Sequence, residues 1–82
     1  MKIITLNANG LRAAARKGLF AWLHQEQADV ICLQEVRCQA SQLRPEFNLE
    51  GYESYFSHGE KKGYSGVGIY TRKKPERIID RL

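Results

Sequence analysis

Two short, uninterrupted apolar runs set the pattern of the first half of the chain. Residues 3–6 and 30–33 each hold four apolar or β-branched residues, which is too short a run for a typical helix. Continuous runs of this kind are typical of strands that are buried on both faces of a sheet. We therefore predict buried strands at residues 2–6 and 30–33, each followed directly by polar residues that include Asn7 and Glu35.

The segment between the two runs changes to helical spacing. Residues 11–27 predict a helix with a break at Lys17 and Gly18, because glycine interrupts a helical pattern. One face of this helix comprises the apolar residues Leu19, Phe20 and Leu23, together with Gln27. Trp22 flanks that face, and we interpret it as a core residue rather than as a platform on which a base stacks.

The second half of the chain predicts shorter elements. Residues 39–43 predict a short helix that ends before Pro45, because the residue before a proline avoids the helical region. Residues 52–57 are rich in aromatic side chains and residues 65–71 alternate, so both segments predict strands. The tyrosines of the first of these strands, Tyr52 and Tyr55, are interpreted as core residues. A further strand is expected to begin within residues 77–82.

Asn7 and Glu35 are the leading candidates for chemistry. If the first two strands are parallel neighbours joined by a crossover helix, their carboxyl ends lie at the same edge of the sheet. Asn7 and Glu35 would then converge on one point. Carboxylate and amide oxygens suit a hard cation such as Mg²⁺, which keeps several waters, whereas zinc prefers nitrogen and sulfur. Taken alone, Glu35 is better interpreted as one half of a structural ion pair, and its setting beside Asn7 shifts the balance towards a ligand.

Four residues near these candidates have a structural interpretation, and for the two arginines a phosphate-binding role is the alternative. Asn9 and Gly10 form the turn after the first strand, and that geometry alone explains both residues. Arg12 either binds a phosphate or is solvated near the start of the helix. Arg37 either contacts a phosphate or pairs with Glu35, and the pairing is favoured.

A glycine-rich stretch before the fourth predicted strand is a second candidate. Its backbone amides can approach an anion closely, and its hydroxyl groups can donate hydrogen bonds to phosphate. The residues concerned are Lys62, Gly63, Tyr64 and Ser65. Because the stretch leads into a strand rather than a helix, it is not a Walker loop, and a plain tight turn is the alternative interpretation.

Composition and length place limits on these interpretations. With 82 residues, 43% of them hydrophobic and 27% charged, the chain has an ordinary globular composition and room for one small domain at most. One substantial helix cannot cover both faces of the predicted sheet, so we expect residues 1–82 to be the N-terminal portion of a larger domain. A net charge of +4 fits either a polyanionic partner or a mildly basic solvated surface.

The cysteines and the lengths of the apolar runs predict the cellular compartment of the protein. Cys32 and Cys38 form neither a disulfide framework nor a zinc motif, which favours a reducing, cytoplasmic compartment. The N-terminal apolar run is too short for a signal peptide, and no apolar stretch reaches transmembrane length.

Three blocks of the sequence together resemble the opening of exonuclease III-type abasic-site endonucleases, of the exonuclease–endonuclease–phosphatase superfamily. The blocks are residues 4–12, 29–35 and 62–70, in family order and at family-like separations. The resemblance implies the N-terminal part of a DNase I-like, four-layer α/β/β/α sandwich with mixed sheets. It also implies hydrolysis of DNA phosphodiesters with Mg²⁺ or Mn²⁺, by incision 5′ to abasic sites, 3′-to-5′ trimming and 3′-end cleaning.

The resemblance also assigns roles to residues. It implies that Asn7 and Glu35 are catalytic and metal-site residues, with Asn9 and Gly10 as the supporting turn. The residues it implies for DNA phosphate binding are Arg12, Arg37, Lys62, Gly63, Tyr64 and Ser65. Asn9 stands where some members carry aspartate, and Arg37 where lysine is frequent. The implied partner is duplex DNA with abasic sites or 3′ ends, with no membrane and a monomeric full-length protein.

The later motifs of the family cannot be placed in this sequence. They would supply an aspartate that activates water, its neighbouring asparagine, a tyrosine and a closing aspartate–histidine pair. We therefore expect the isolated 82-residue chain neither to fold stably nor to turn over substrate. The alternative functions are a phosphatase or phosphodiesterase of the superfamily that acts on small or lipid phosphates, and a non-catalytic DNA-binding fragment.

Overall fold

A mixed four-stranded sheet forms the centre of the structure, a computed structural model that describes residues 1–57 and 66–72. Its strands are β1 (Ile3–Asn7), β2 (Val30–Gln34), β3 (Tyr52–Ser57) and β4 (Val67–Arg72). They lie in the order β1-β2-β4-β3. The predicted start of a strand within residues 77–82 lies outside the described residues.

The pairing of the strands confirms the predicted crossover. β1 and β2 are parallel, with Ile3 opposite Val30 and Asn7 opposite Gln34. β4 runs antiparallel to both β2 and β3. The ends of β1 and β2 therefore lie at one edge of the sheet, as a βαβ unit requires.

Two helices connect β1 to β2, with the break where the sequence predicts it. Helix α1 spans Leu11–Arg16 and helix α2 spans Leu19–Glu26. Gly18 lies between them with φ +96°, a left-handed conformation that glycine adopts without steric cost. The predicted helix at 39–43 is shorter than expected, because only Ala40–Gln42 forms a 3₁₀ turn, and a second 3₁₀ turn spans Pro45–Phe47.

The hydrophobic core lies between one face of the sheet and the helices. Its largest fully buried side chains are Leu11, Leu23, Ile31, Leu33, Val36 and Tyr70. Phe20 of α2 stacks on Phe47 with ring centroids 5.7 Å apart, and it meets the edge of Tyr70 at 5.9 Å. The Tyr70 hydroxyl donates a hydrogen bond to the Phe47 carbonyl at 2.5 Å. These contacts fasten the 3₁₀ segment to the sheet. None of the described helices is long and apolar enough to cross a membrane.

The opposite face of the sheet differs from the sequence-based expectation. β1 and β2 were predicted to be buried on both faces, yet Ile3 is 58% exposed, and Val30 and Cys32 are only half-buried. The reason is that no described element lies over this face. Because the face is apolar, it is where a further layer of structure would pack.

The predicted core roles of two aromatic residues are also wrong. Tyr55 is 58% exposed on the open face, and Trp22 is 43% exposed on α2. Tyr52, by contrast, is buried and donates its hydroxyl to the Ala28 carbonyl. Alternation along β3 places Tyr52 and Tyr55 on opposite faces, so only Tyr52 meets the core.

Gly68 supports a prediction about the packing of the hairpin. It lies opposite Phe56, and a Cβ atom at residue 68 would stand 2.6 Å from Phe56 Cε1. We expect Gly68→Ala to lower the free energy of unfolding of the full-length protein by about 1–3 kcal/mol through overpacking, as measured by urea denaturation. In Phe56→Ala protein the ring is gone, so the same substitution should cost less. Equal costs in the two backgrounds would contradict this explanation.

Candidate metal and phosphate site

Backbone hydrogen bonds fasten the ends of β1 and β2 together beyond the sheet. The Ala8 amide donates to the Gln34 carbonyl, and the Gly10 amide donates to the Glu35 carbonyl, each at 2.8 Å. The Leu11 amide donates to the Val36 carbonyl at the same distance. The parallel pairing thus continues into the two loops, and it fixes the start of α1 against the segment that carries Glu35.

The side chains of Asn7 and Glu35 meet, as the strand order predicts. Asn7 Nδ2 donates a hydrogen bond to Glu35 Oε2 at 2.8 Å. Asn7 Oδ1 accepts the backbone N–H of Asn9 at 2.9 Å, which closes an Asx turn. The amide therefore turns its nitrogen towards Glu35 and its oxygen towards the backbone. This orientation makes Asn7 a donor that holds the carboxylate, whereas the sequence alone indicated an oxygen ligand beside it.

Arg37 holds the other oxygen of the same carboxylate. Arg37 Nη2 lies 2.8 Å from Glu35 Oε1, which confirms the ion pair favoured from the sequence. The Glu35 side chain is 32% exposed. Since a carboxylate has about four lone-pair positions, two accepted hydrogen bonds leave room for a further ligand.

Left-handed backbone conformations cluster at this edge of the sheet. Asn9, Glu35 and Arg37 have φ values of 50°, 52° and 52°. Non-glycine residues adopt this region at a cost of roughly 1–2 kcal/mol each, and such residues concentrate at functional sites. The conformation at Glu35 and Arg37 ends β2 abruptly and directs both side chains to the edge of the sheet.

An open groove of about 380 Å³ adjoins Glu35 on the side of α1. Its lining residues are Asn9, Gly10, Arg12, Ala13, Arg16 and Arg37. Three guanidinium groups in one groove favour an anion with several oxygens, such as a phosphate. The structure thus brings Arg12 together with Arg37, as the phosphate interpretation requires. Arg16 was missed from the sequence, although its i, i+4 spacing from Arg12 could have indicated a shared helix face.

Cys38 lies close to the arginines but is not a candidate ligand. Burial raises the pKa of the Cys38 thiol above its ordinary value, and the nearby charges of Arg12 and Arg44 oppose this shift without cancelling it. A thiol with a raised pKa stays protonated near neutral pH, whereas metals bind the thiolate. Among the described residues, no group of three or more His, Cys, Asp or Glu side chains could hold a metal ion.

The donor set at the edge suits a sparsely ligated hard cation. Glu35 provides accessible carboxylate oxygens, and Mg²⁺ commonly binds proteins through one or two carboxylates while it keeps its waters. Neither imidazole nor thiolate takes part among the described residues, so the site does not suit zinc. Glu35 is therefore the residue that would hold the ion, with Asn7 and Arg37 fixing its two oxygens.

The predicted phosphate-binding residues Lys62, Gly63, Tyr64 and Ser65 lie outside the described residues. Gly66, which follows them in sequence, is described, and its carbonyl accepts the Val36 amide at 3.2 Å. β4 then begins at Val67, opposite Gln34. The described end of this stretch therefore lies against the loop that carries Glu35.

The proteins to which this chain is similar are named as nucleases. The chain is 42% identical over 80 residues to an exodeoxyribonuclease of Bacillus subtilis. This alignment covers 96% of this chain and 31% of that protein. It is 37% identical over 78 residues to a DNA-(apurinic or apyrimidinic site) endonuclease of Dictyostelium discoideum, covering 95% of this chain and 22% of that protein. The chain thus spans less than a third of the length of either relative.

Solved structures and a family model agree with these similarities. The fold matches the Xenopus laevis APE2 catalytic domain with a TM-score of 0.73 and 43% identity, over 88% of this chain and 23% of that one. It matches an AP endonuclease from Archaeoglobus fulgidus with a TM-score of 0.74 and 31% identity. This match covers 93% of this chain and 29% of that one. The model of the Endonuclease/Exonuclease/phosphatase family matches residues 4–82. The chain therefore belongs to the endonuclease/exonuclease/phosphatase family, and its sheet and helices are part of a DNase I-like fold.

Proposed function

We propose that residues 1–82 are the N-terminal portion of a DNA repair nuclease domain whose full-length protein hydrolyses phosphodiesters in duplex DNA. The proposed reactions are incision 5′ to abasic sites and 3′-to-5′ removal of nucleotides and blocked 3′ ends. The observation that carries the proposal is the 2.8 Å contact between Asn7 and Glu35 at the shared edge of β1 and β2. The nuclease names of the relatives add support.

In this proposal Glu35 holds a divalent cation, Mg²⁺ or Mn²⁺. Such a cation would neutralise the scissile phosphate and stabilise the charge that develops on the leaving oxygen. Asn7 fixes the carboxylate by donating to Oε2, and Arg37 fixes it through Oε1. Two hydrogen bonds to one carboxylate restrict its rotation, so its free lone pairs keep a single direction.

The arginine groove supports the proposal that the scissile phosphate binds near Glu35. Arg37 lines the groove and also pairs with Glu35, so one side chain joins the groove to the carboxylate. Arg12 and Arg16 line the same groove from helix α1. A phosphate bound by these guanidinium groups would lie within reach of an ion held by Glu35. The net charge of +4 agrees with a polyanionic substrate.

Cleavage of a labelled duplex with one abasic site tests the proposal. We expect the full-length protein to incise the strand on the 5′ side of the abasic residue and to leave a 3′ hydroxyl. EDTA should abolish incision, and added Mg²⁺ or Mn²⁺ should restore it. The same preparation should shorten a recessed 3′ end. Absence of incision with either cation would overturn the proposal.

A phosphorylated inositol is the matched substrate for the alternative within the family. The family includes phosphatases by its own description, so this substrate is assayed under the same ionic conditions. The expected result is release of phosphate at no more than the background rate. Preferential hydrolysis of the inositol phosphate would instead favour a phosphatase.

A further inference from the structure

A second groove lies between helices α1 and α2 and has a different chemical character. It encloses about 420 Å³, within the size range of small-ligand sites. Its floor is built of small apolar side chains, Ala8, Ala13 and Ala14, together with Leu19. Trp22 and Lys17 also line the groove, so an aromatic ring and an ammonium group both border an apolar floor.

The exposure of Trp22 follows from the way the two helices are joined. α2 directs Leu19 and Leu23 into the core, and the left-handed Gly18 ends the connection from α1 and begins α2. The side chains that α1 presents to the groove are alanines, which are too short to cover an indole ring. Trp22 consequently stays 43% exposed. A large aromatic side chain left open in a groove is a common feature of binding surfaces.

The groove is a neighbour of the arginine groove. Asn9 and Ala13 line both grooves. The two neighbouring grooves define a path along α1, with Arg37, Arg12 and Arg16 lining one part and Lys17 and Trp22 the other. A DNA strand whose phosphate lies beside Glu35 would reach the indole ring by following this path along α1.

The charge along the path is positive. Within residues 1–57 and 66–72, Arg12, Arg16 and Lys17 form no ion pair with a carboxylate. Helix α1 carries no acidic residue in its first turn, and neither does α2. A negatively charged chain fits this path better than an ordinary peptide does.

We propose that the groove between α1 and α2 binds an unpaired nucleotide of the DNA strand, with its base against Trp22 and its phosphate towards Lys17. This inference rests on the proposed nuclease function and names the form of DNA that the protein prefers. An aromatic platform beside basic residues is the usual composition of single-strand sites. In a duplex the faces of the bases are already stacked on each other, so only an unpaired base can offer its face to the indole.

Equilibrium binding to two DNA molecules tests this inference. The full-length protein is titrated in EDTA, which prevents cleavage, with a fully paired blunt duplex and with the same duplex extended by unpaired thymidines at one end. Extensions at the 3′ end and at the 5′ end are measured separately. We expect Trp22→Ala to weaken binding of at least one extended duplex by about 5- to 100-fold, and binding of the blunt duplex by less than about twofold.

Three further variants separate stacking from general effects. Trp22→Phe keeps an aromatic ring and should recover most of the lost affinity. Lys17→Gln should lower the slope of log K against log salt by about 1 for the extended duplex. His24→Ala is the control, because His24 is an exposed residue of α2 that does not line the groove. It should bind both duplexes as the wild type does.

The possible outcomes are distinct. Equal losses for blunt and extended duplexes, or no loss for either extension, would overturn the inference. So would a sedimentation coefficient of the wild type that rises with protein concentration in the absence of DNA while that of Trp22→Ala does not, since that result would indicate contact between two copies through Trp22. Cleavage of the labelled abasic duplex by the wild type is measured in parallel. If the wild type cleaves but Trp22→Ala shows no selective loss, only this inference fails; without cleavage, the proposed function itself fails.

Discussion

Glu35→Gln in the full-length protein is expected to lower the rate of incision at an abasic site by about 10³-fold in saturating Mg²⁺. The substitution keeps the shape of the side chain and an oxygen that Asn7 or Arg37 can still contact. It removes the negative charge that would hold the cation. Because Glu35 is partly exposed and its ion pair with Arg37 lies at the surface, the loss of stability should be no more than about 1 kcal/mol.

Glu26 offers a closely matched control for this substitution. Its side chain has the same exposed fraction as that of Glu35, 32%, and it pairs with Lys2 at 2.7 Å, where Glu35 pairs with Arg37 at 2.8 Å. Glu26 lies at the last residue of α2, away from the lining of either groove. Glu26→Gln should therefore incise abasic DNA at the wild-type rate. A similar loss in both variants would show that the effect of Glu35→Gln arises from surface charge and not from the site.

Asn7→Ala is expected to lower the incision rate by about 10- to 100-fold, the usual effect of removing a group that orients a metal ligand. The change removes the donor to Glu35 Oε2 and the acceptor that closes the turn at Asn9. Glu35 keeps its charge and its contact with Arg37, so the loss should be smaller than that of Glu35→Gln. Rates measured at saturating substrate with rising Mg²⁺ would show whether more cation restores part of the activity.

Asn7→Asp separates two roles for residue 7. Aspartate can still accept the Asn9 amide, but it cannot donate to Glu35 and sets a second negative charge beside it. If Asn7 acts as a donor, Asn7→Asp should stay at least about tenfold below the wild type. Wild-type activity of this variant would contradict the donor role and favour the oxygen-ligand role that the sequence alone indicated.

The strands and the parallel pairing of β1 with β2 could be predicted because local pattern and topology agree. Continuous apolar runs indicated β1 and β2, and the aromatic stretch at β3 has the predicted bounds, Tyr52–Ser57. The length of chain between β1 and β2 required a crossover, and a crossover makes the strands parallel. The parallel pairing in turn predicts that Asn7 and Glu35 meet, because Asn7 is the last residue of β1 and Glu35 directly follows β2.

The details of the site depended on information that the sequence pattern does not contain. An asparagine side chain presents an oxygen and a nitrogen on the same carbon, and only the neighbouring amide of Asn9 decides which of them turns to Glu35. The second groove was missed for a similar reason. The periodicity of α2 defines its buried face, but the exposure of Trp22 depends on how α1 is placed beside α2. Arg16 joins the arginine groove through the same helix placement.

Binding of Mn²⁺ in the absence of DNA, followed by electron paramagnetic resonance, tests the central claim most directly, because it measures the ion at the edge of the sheet without any catalytic step. The full-length wild type, Glu35→Gln and Glu26→Gln are titrated with Mn²⁺ under the same conditions. We predict that Glu35→Gln binds Mn²⁺ about tenfold or more weakly than the wild type, and that Glu26→Gln binds it equally well. Equal Mn²⁺ affinity in the wild type and Glu35→Gln would contradict the assignment of the metal site to the shared edge of β1 and β2.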